Sequence, residues 1–188
     1  LAKEDYEHIT TSKIMDTKRM NDSDILEIAP ILTKHLKYSL LTLDNKTYNK
    51  VHETYNINAI KAKLHNQAFL HLKRKYGLPK VNIIDQFTPK ALYYKYLKDE
   101  EEVFDGLTFE TKAEDRYLAV ACGAIIARYA FLKVLEEMGD TYQFTFPKGA
   151  GPLVDKKARE FVLIYGAEAL NDVAKVHFKN TQRVLENL

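Results

Sequence analysis

The chain has 188 residues, a formal net charge of +2, 46% hydrophobic residues and 29% charged ones. That length supports one domain with a real core, and the composition is ordinary for a globular protein. Cys122 is the single cysteine, so a disulfide-built scaffold is excluded, and so small a net charge singles out no partner.

In chain order, Asp22-Ser23-Asp24 followed by Ile25, Leu26, Ile28, Ala29, Ile31 and Leu32 predicts a capped amphipathic helix. Pro30 should kink or shorten it. Residues 37–43 predict a strand closed by Asp44-Asn45. A long helix is expected over about 58–76, with Ile60, Leu64, Ala68 and Leu72 at helical spacing and Gly77-Leu78-Pro79 as its stop. Residues 81–84 form an expected short buried strand, with Asp85 at its C-terminal end. A short Tyr-rich helix over 91–97 and a strand over 103–109, bent at Asp105-Gly106, come next. The central helix is expected over 114–138, stopped by Gly139. Residues 142–146 read as extended and 147–152 as a loop. Closing helices over about 154–165 and 168–176 and a basic tail complete the chain.

Alternating strands and helices predict an α/β layered domain. Sites in such sheets gather at the C-terminal ends of strands, where Asp85 lies. Cys122 sits in an apolar run and should be a buried, reduced thiol, which fits a cytoplasmic location. There is no visible signal peptide. The longest apolar run, 118–127, is shorter than the ~18 residues a membrane span needs.

Charge is unevenly distributed. No acidic residue occurs from Thr54 to Ile84, while Lys61, Lys63, Lys73, Arg74, Lys75 and Lys80 lie there with His65 and His71. Such a run suits a polyanion, and equally a solvated helix face. Asp99-Glu100-Glu101-Glu102 reads as a loop or helix end.

Two carboxylates carry competing readings. Asp85 ends an apolar strand, where a charge calls for a partner or a metal. It also fits a turn or N-cap before Gln86-Phe87-Thr88-Pro89. Glu114 fits a capping box in Thr111-Lys112-Ala113-Glu114. Alternatively it faces Asp85 across a site for Mg²⁺, a hard cation that takes oxygen ligands and keeps several waters. Lys148-Gly149-Ala150-Gly151 suits either a phosphate approach or a plain turn. Lys179, within His177-Phe178-Lys179-Asn180-Thr181, suits a phosphate or simply a helix C-terminus. The six histidines form no zinc pattern, and no Gly-x-Ser-x-Gly motif occurs.

Several blocks, taken in order, carry a resemblance. They are Asp16-Thr17-Lys18-Arg19-Met20 with Asp22, Leu40 to Leu43 with Tyr48-Asn49, and Lys61-Ala62-Lys63-Leu64-His65-Asn66-Gln67-Ala68. Ile83-Ile84-Asp85-Gln86-Phe87, Thr111-Lys112-Ala113-Glu114 and Ala124-Ile125-Ile126-Ala127-Arg128-Tyr129-Ala130-Phe131 follow. Pro147-Lys148-Gly149-Ala150-Gly151 with Val154-Asp155, and residues 174–181, complete the set. This ordered set resembles ribonuclease HIII, of the type 2 ribonuclease H family, over almost the whole chain.

The resemblance implies a ribonuclease H-like mixed sheet flanked by helices, with C-terminal helices. It also implies endonucleolytic cleavage of the RNA strand of RNA–DNA hybrids by two-metal-ion hydrolysis with Mg²⁺, or Mn²⁺ in its place. Asp85 looks like the third and Glu114 the fourth of the family's four carboxylates, both holding metal. Lys18, Arg19, His65, Asn66, Lys148, Gly149 and Lys179 are the implied nucleic-acid contacts. The Asp16 block departs mildly from the family's Asp-Ser-Lys-Lys-Leu: Thr17 keeps a hydroxyl, Arg19 a charge and Met20 an apolar side chain.

The first two carboxylates belong to a Gly-rich segment upstream of the Asp16 block that this sequence lacks. Residues 1–188 are therefore expected to be one catalytic domain, incomplete on its N-terminal side. The expected partner is an RNA–DNA hybrid, met by a monomer without a membrane. Two alternatives stay open: a catalytically incomplete hybrid-binding fragment, and ribonuclease HII-like cleavage at embedded ribonucleotides.

Overall fold

The computed structural model describes residues 20–186 together with 1, 5, 9 and 14. They fall into two compact units: Leu1–Leu41 with Ile57–Leu132, and Thr42–Asn56 with Lys133–Leu188.

The first unit opens with α1 (Asp22–His35). Asn21, one residue before the expected cap, starts it. Its side chain accepts from the Asp24 amide and the Asp24 carboxylate accepts from the Asn21 amide, both at 3.0 Å. This reciprocal box satisfies two amides that a helix start otherwise leaves open. The helix continues through Pro30 to His35, so the expected shortening does not occur. The predicted strand over 37–43 pairs with nothing among the described residues. Asp44-Asn45 is not a turn that closes a strand. It caps α2 (Asn45–His52), a helix of the second unit, accepting from the Thr47 amide at 2.8 Å.

Helix α3 (Ile57–Tyr76) ends where Gly77 turns left-handed at φ 70, its amide donating to the Lys73 carbonyl at 3.0 Å. Strand β1 (Asn82–Asp85), helix α4 (Lys90–Tyr96) and strand β2 (Leu107–Glu110) follow. The strands are parallel, which requires a crossover, and α4 lies within it. Ile84 pairs with Phe109 and Asp85 with Glu110. Where a mixed sheet was expected, the described residues hold this two-stranded parallel ladder. Ala62, Ile84, Tyr93, Leu97 and Leu107 form its core.

Strand β2 begins later than predicted because the chain before it is bonded to α3 instead. The fully buried Asn66 donates to the Glu102 carbonyl at 2.8 Å and accepts from the Phe104 amide at 2.9 Å.

The expected helix start at Glu114 is wrong. Ala113–Asp115 is a 3-10 turn, and α5 runs from Leu118 to Tyr142. Gly139 does not stop it; the helix ends before Gln143, which is left-handed at φ 46. At 25 residues α5 is long and apolar enough to cross a membrane by length and composition, unlike the short run seen in the sequence. That run stopped at Arg128, whose guanidinium donates to the Met20 carbonyl at 3.1 Å and to Asp22 at 2.7 Å. Leu118, Ala121, Cys122, Ile125 and Ile126 of α5 pack against Ile25, Ile28, Ala29 and Leu32 of α1. Cys122 is buried as expected, and burial pushes its thiol up to about 11.

In the second unit, α6 (Pro152–Tyr165) has proline at its start and Gly166 at its end. After a 3-10 turn (Ala167–Ala169) and the short α7 (Leu170–Val173), the expected basic tail is instead helix α8 (Lys179–Glu186). Val184 of α8 is fully buried beside Phe161, and Arg183 pairs with Asp155 at 2.9 Å. Phe161 meets the rings of Tyr142, Phe144, Phe146 and Tyr165 at centroid distances of 4.8–5.4 Å. Asn49 of α2 bonds the carbonyls of Asn171 and Ala174 and the amide of Val176.

Candidate active site

Burial alternates along β1, with Asn82 and Ile84 buried and Ile83 and Asp85 half-buried. Asp85 thus leaves the core at the strand's C-terminal end. Its Oδ1 accepts from the Ala113 amide at 2.9 Å, from 28 residues away. Asp85 therefore is not a local turn or N-cap residue before Pro89, and α4 has no side-chain cap at all. Its other oxygen makes no hydrogen bond with any described residue.

The Ala113 amide belongs to the 3-10 turn that carries Glu114 next in sequence. Lys112 precedes the turn in the left-handed region (φ 53) and makes no side-chain cap bond, so the turn does not start at Thr111 as a capping box would require. A side chain at positive φ is uncommon and costs energy, which long-range contacts such as the Asp85 bond offset.

Glu110, the register partner of Asp85, was not singled out in the sequence. Its carbonyl accepts from the Gln86 amide at 2.9 Å and its carboxylate pairs with Arg116 at 2.7 Å. Arg116 also lies 5.3 Å from the Tyr117 ring. Register, which only folding reveals, is the signal that places Glu110 beside Asp85.

Helix α3 supplies the next wall. The His65 ring lies 5.4 Å from Phe87, and the Lys61 ammonium 5.5 Å from the same ring. His65 is open to solvent yet crowded by protein. Desolvation lowers its imidazole below the ordinary histidine range, Lys61 adds to the drop and the Asp85 charge opposes it.

The basic run is only partly available to a polyanion. Lys63 pairs with Glu100, and Lys73 and Arg74 pair with Glu102 at 3.4 and 2.5 Å. The acidic stretch read as a loop is thus the counter-charge of the basic helix. Asn66, expected at the nucleic acid, is fully buried with its amide bonded to backbone, so it presents no surface to a ligand.

Lys18 and Arg19 lie outside the described residues. Lys148, Gly149 and Lys179 belong to the second unit and are all exposed. Gly149 has φ 96, a conformation that favours glycine whatever the surrounding space. Near Lys179, His177 stacks on His52 at 3.9 Å, while Lys175 lies 4.4 Å from the Tyr48 ring. No group of three or more His, Cys, Asp and Glu side chains converges among the described residues. Carboxylates such as those of Asp85 and Glu114 are the donor type that suits a hard divalent cation, and the Ala113–Asp85 bond joins the two segments that carry them.

The family described as Ribonuclease HII matches residues 1–181. Ribonuclease HIII of Bacillus subtilis (strain 168) is 43% identical over 173 residues, covering 90% of this chain and 55% of that protein. Ribonuclease HIII of Streptococcus pyogenes serotype M3 is 40% identical over 183 residues, covering 95% and 61%. The crystal structure of Bst-RNase HIII in complex with Mn²⁺ is similar with a TM-score of 0.89 at 34% identity, covering 93% of this chain and 58% of that one. The fold is therefore ribonuclease H-like, as the resemblance implied. This chain spans between half and two-thirds of the length of these relatives. A match running from residue 1 to residue 181 leaves one conclusion: the chain belongs to the ribonuclease HII family, among relatives that are ribonucleases HIII.

Proposed function

We propose that this chain carries part of the active site of an endonuclease that hydrolyses the RNA strand of RNA–DNA hybrids with Mg²⁺ or Mn²⁺. The observation that carries the reading is the bond from the Ala113 amide to Asp85 at 2.9 Å, which ties the strand-end carboxylate to the turn bearing Glu114. Hydrogen bonding to one oxygen fixes the Asp85 carboxylate and leaves the other oriented for a cation. Asp85 and Glu114 would hold the metal, which when bound neutralises charge on the phosphate during in-line displacement. His65 would contact the nucleic acid beside Asp85. Lys18, Arg19, Lys148, Gly149 and Lys179 would contact its backbone, acting as point charges and amide donors. The Mn²⁺ complex of Bst-RNase HIII supports the metal assignment. We read the protein as a cytoplasmic monomer.

A second reading, binding of a hybrid without cutting, is favoured by one observation. No group of three or more His, Cys, Asp and Glu side chains able to hold a metal is formed among the described residues. One assay separates the two. A labelled RNA–DNA hybrid is incubated with the chain in Mg²⁺, with and without EDTA. EDTA-sensitive cutting of the RNA strand supports the nuclease. Retention of the hybrid without cutting supports the binding module.

A further inference from the structure

We infer that Lys61, seated on Phe87, is a phosphate-docking residue that receives a backbone phosphate of the nucleic acid beside the Asp85 corner. This rests on the nuclease reading and names a contact that the basic run alone did not single out. Lys63, Lys73 and Arg74 of α3 are each held by a glutamate. Lys61 has no carboxylate at ion-pair distance among the described residues and is instead held 5.5 Å from the Phe87 ring. Its charge is therefore not neutralised. A ring shields one side of an ammonium and leaves its remaining donors for an anion.

The seat is rigid. Phe87 packs edge-on against Tyr93 at 6.2 Å, and Tyr93 is fully buried in the core around β1 and α4. A cation fixed in advance loses less freedom on meeting its anion. The place is also specific. Phe87 follows Asp85 by two positions, and Lys61 and His65, one helical turn apart, flank the same ring. A phosphodiester approaching Asp85 meets like charge, and Lys61 supplies an opposing charge at that edge. Lysine is a point-charge phosphate binder, so this contact positions the strand without reading its sequence.

The test compares the chain with Lys61→Gln, Lys61→Arg and Lys75→Gln. Binding to a labelled RNA–DNA hybrid and to a DNA duplex is measured from low to moderate salt, alongside cleavage and thermal melting. Lys61→Gln should weaken binding about tenfold at low salt and make the salt slope shallower by about 1, as loss of one phosphate contact does. It should raise KM and leave kcat near wild type, with an unchanged melting temperature. Lys61→Arg should restore the slope, and Lys75→Gln should not alter it.

An unchanged slope in Lys61→Gln, in a wild-type chain that cuts the hybrid, overturns the docking role and leaves the nuclease intact. A Lys61-dependent slope without any cutting upholds the docking role and overturns the nuclease. Absence of nucleic-acid binding by the wild-type chain overturns both.

Discussion

The Asp85 corner and the α6–α8 core solve opposite problems. In the first unit, polar side chains are held by backbone groups far away in sequence: Asp85 by Ala113, Asn66 by Glu102 and Phe104. In the second, Phe161 is held by a cage of rings, and the ion pair of Arg183 with Asp155 joins α8 to α6. Directional bonds can fix a charge while leaving one of its faces open. Aromatic packing fixes an element but excludes ligands. The difference teaches where chemistry can sit: in a corner built by hydrogen bonds, substitutions should affect turnover before stability, and in an aromatic core the reverse.

The sharpest test of that contrast is at the two carboxylates. Asp85→Asn and Glu114→Gln should each lower cleavage by orders of magnitude while hybrid binding survives, because the isosteres keep the shape and lose the charge a metal needs. Turnover near wild type in both would sink the nuclease assignment.

Phe161→Ala should do the opposite. Removing a fully buried ring from its cage should cost about 3–5 kcal/mol by denaturant unfolding. A loss under about 1 kcal/mol would mean that the core closes over the gap.

Asn66→Ala should fall between the two. It strands the Phe104 amide and the Glu102 carbonyl, so about 2–4 kcal/mol of stability should be lost. If Asn66→Ala instead left stability untouched and weakened hybrid binding, the buried-staple role would be wrong and the original expectation right.

The smallest effect concerns pH. Desolvation, with His52 and Lys175 adding to it, lowers the His177 imidazole below the usual histidine range. The unfolded chain then takes up that proton first. The stability given by neutral His177 is complete above the ordinary value of about 6.5 and is lost as pH falls through the lowered folded value. Between pH 7 and pH 5, the melting temperature of the wild type should therefore drop more than that of His177→Gln. Equal drops would remove His177 from the account.

Much of the local structure was legible. Helical spacing and a Gly-Leu-Pro stop placed α3 within one residue at its start and at the observed residue at its end. The apolar run before Asp85 placed β1, and the expected helix over about 154–165 matched the end of α6, which starts two residues earlier at Pro152. The failures share a cause. Residues 37–43 have a strand's composition, but a strand exists only where a neighbour completes its ladder, and none is described there. The start of α5 looked like Glu114 because Thr-x-x-Glu fits a local cap, yet the Ala113 amide is committed to Asp85 across the sheet. Asn66 was expected at the nucleic acid only because the resemblance implied it, and the spacing of α3 by itself did not show that it is buried. Its burial depends on a loop 36 residues away.

The amino-acid order by itself determined which carboxylates and cations exist, the spacing that makes α3 a helix, and the ordered blocks that resemble ribonuclease HIII. These are properties of neighbours along the chain, set by local sterics and periodicity. Tertiary structure alone decided which charges remain available. It gave Lys63, Lys73 and Arg74 to Glu100 and Glu102, gave Glu110 to Arg116, and left Lys61 and one oxygen of Asp85 open. The reason is physical. A charge is spent or spared by whatever stands within a few ångströms of it, and folding chooses that company from residues dozens of positions away.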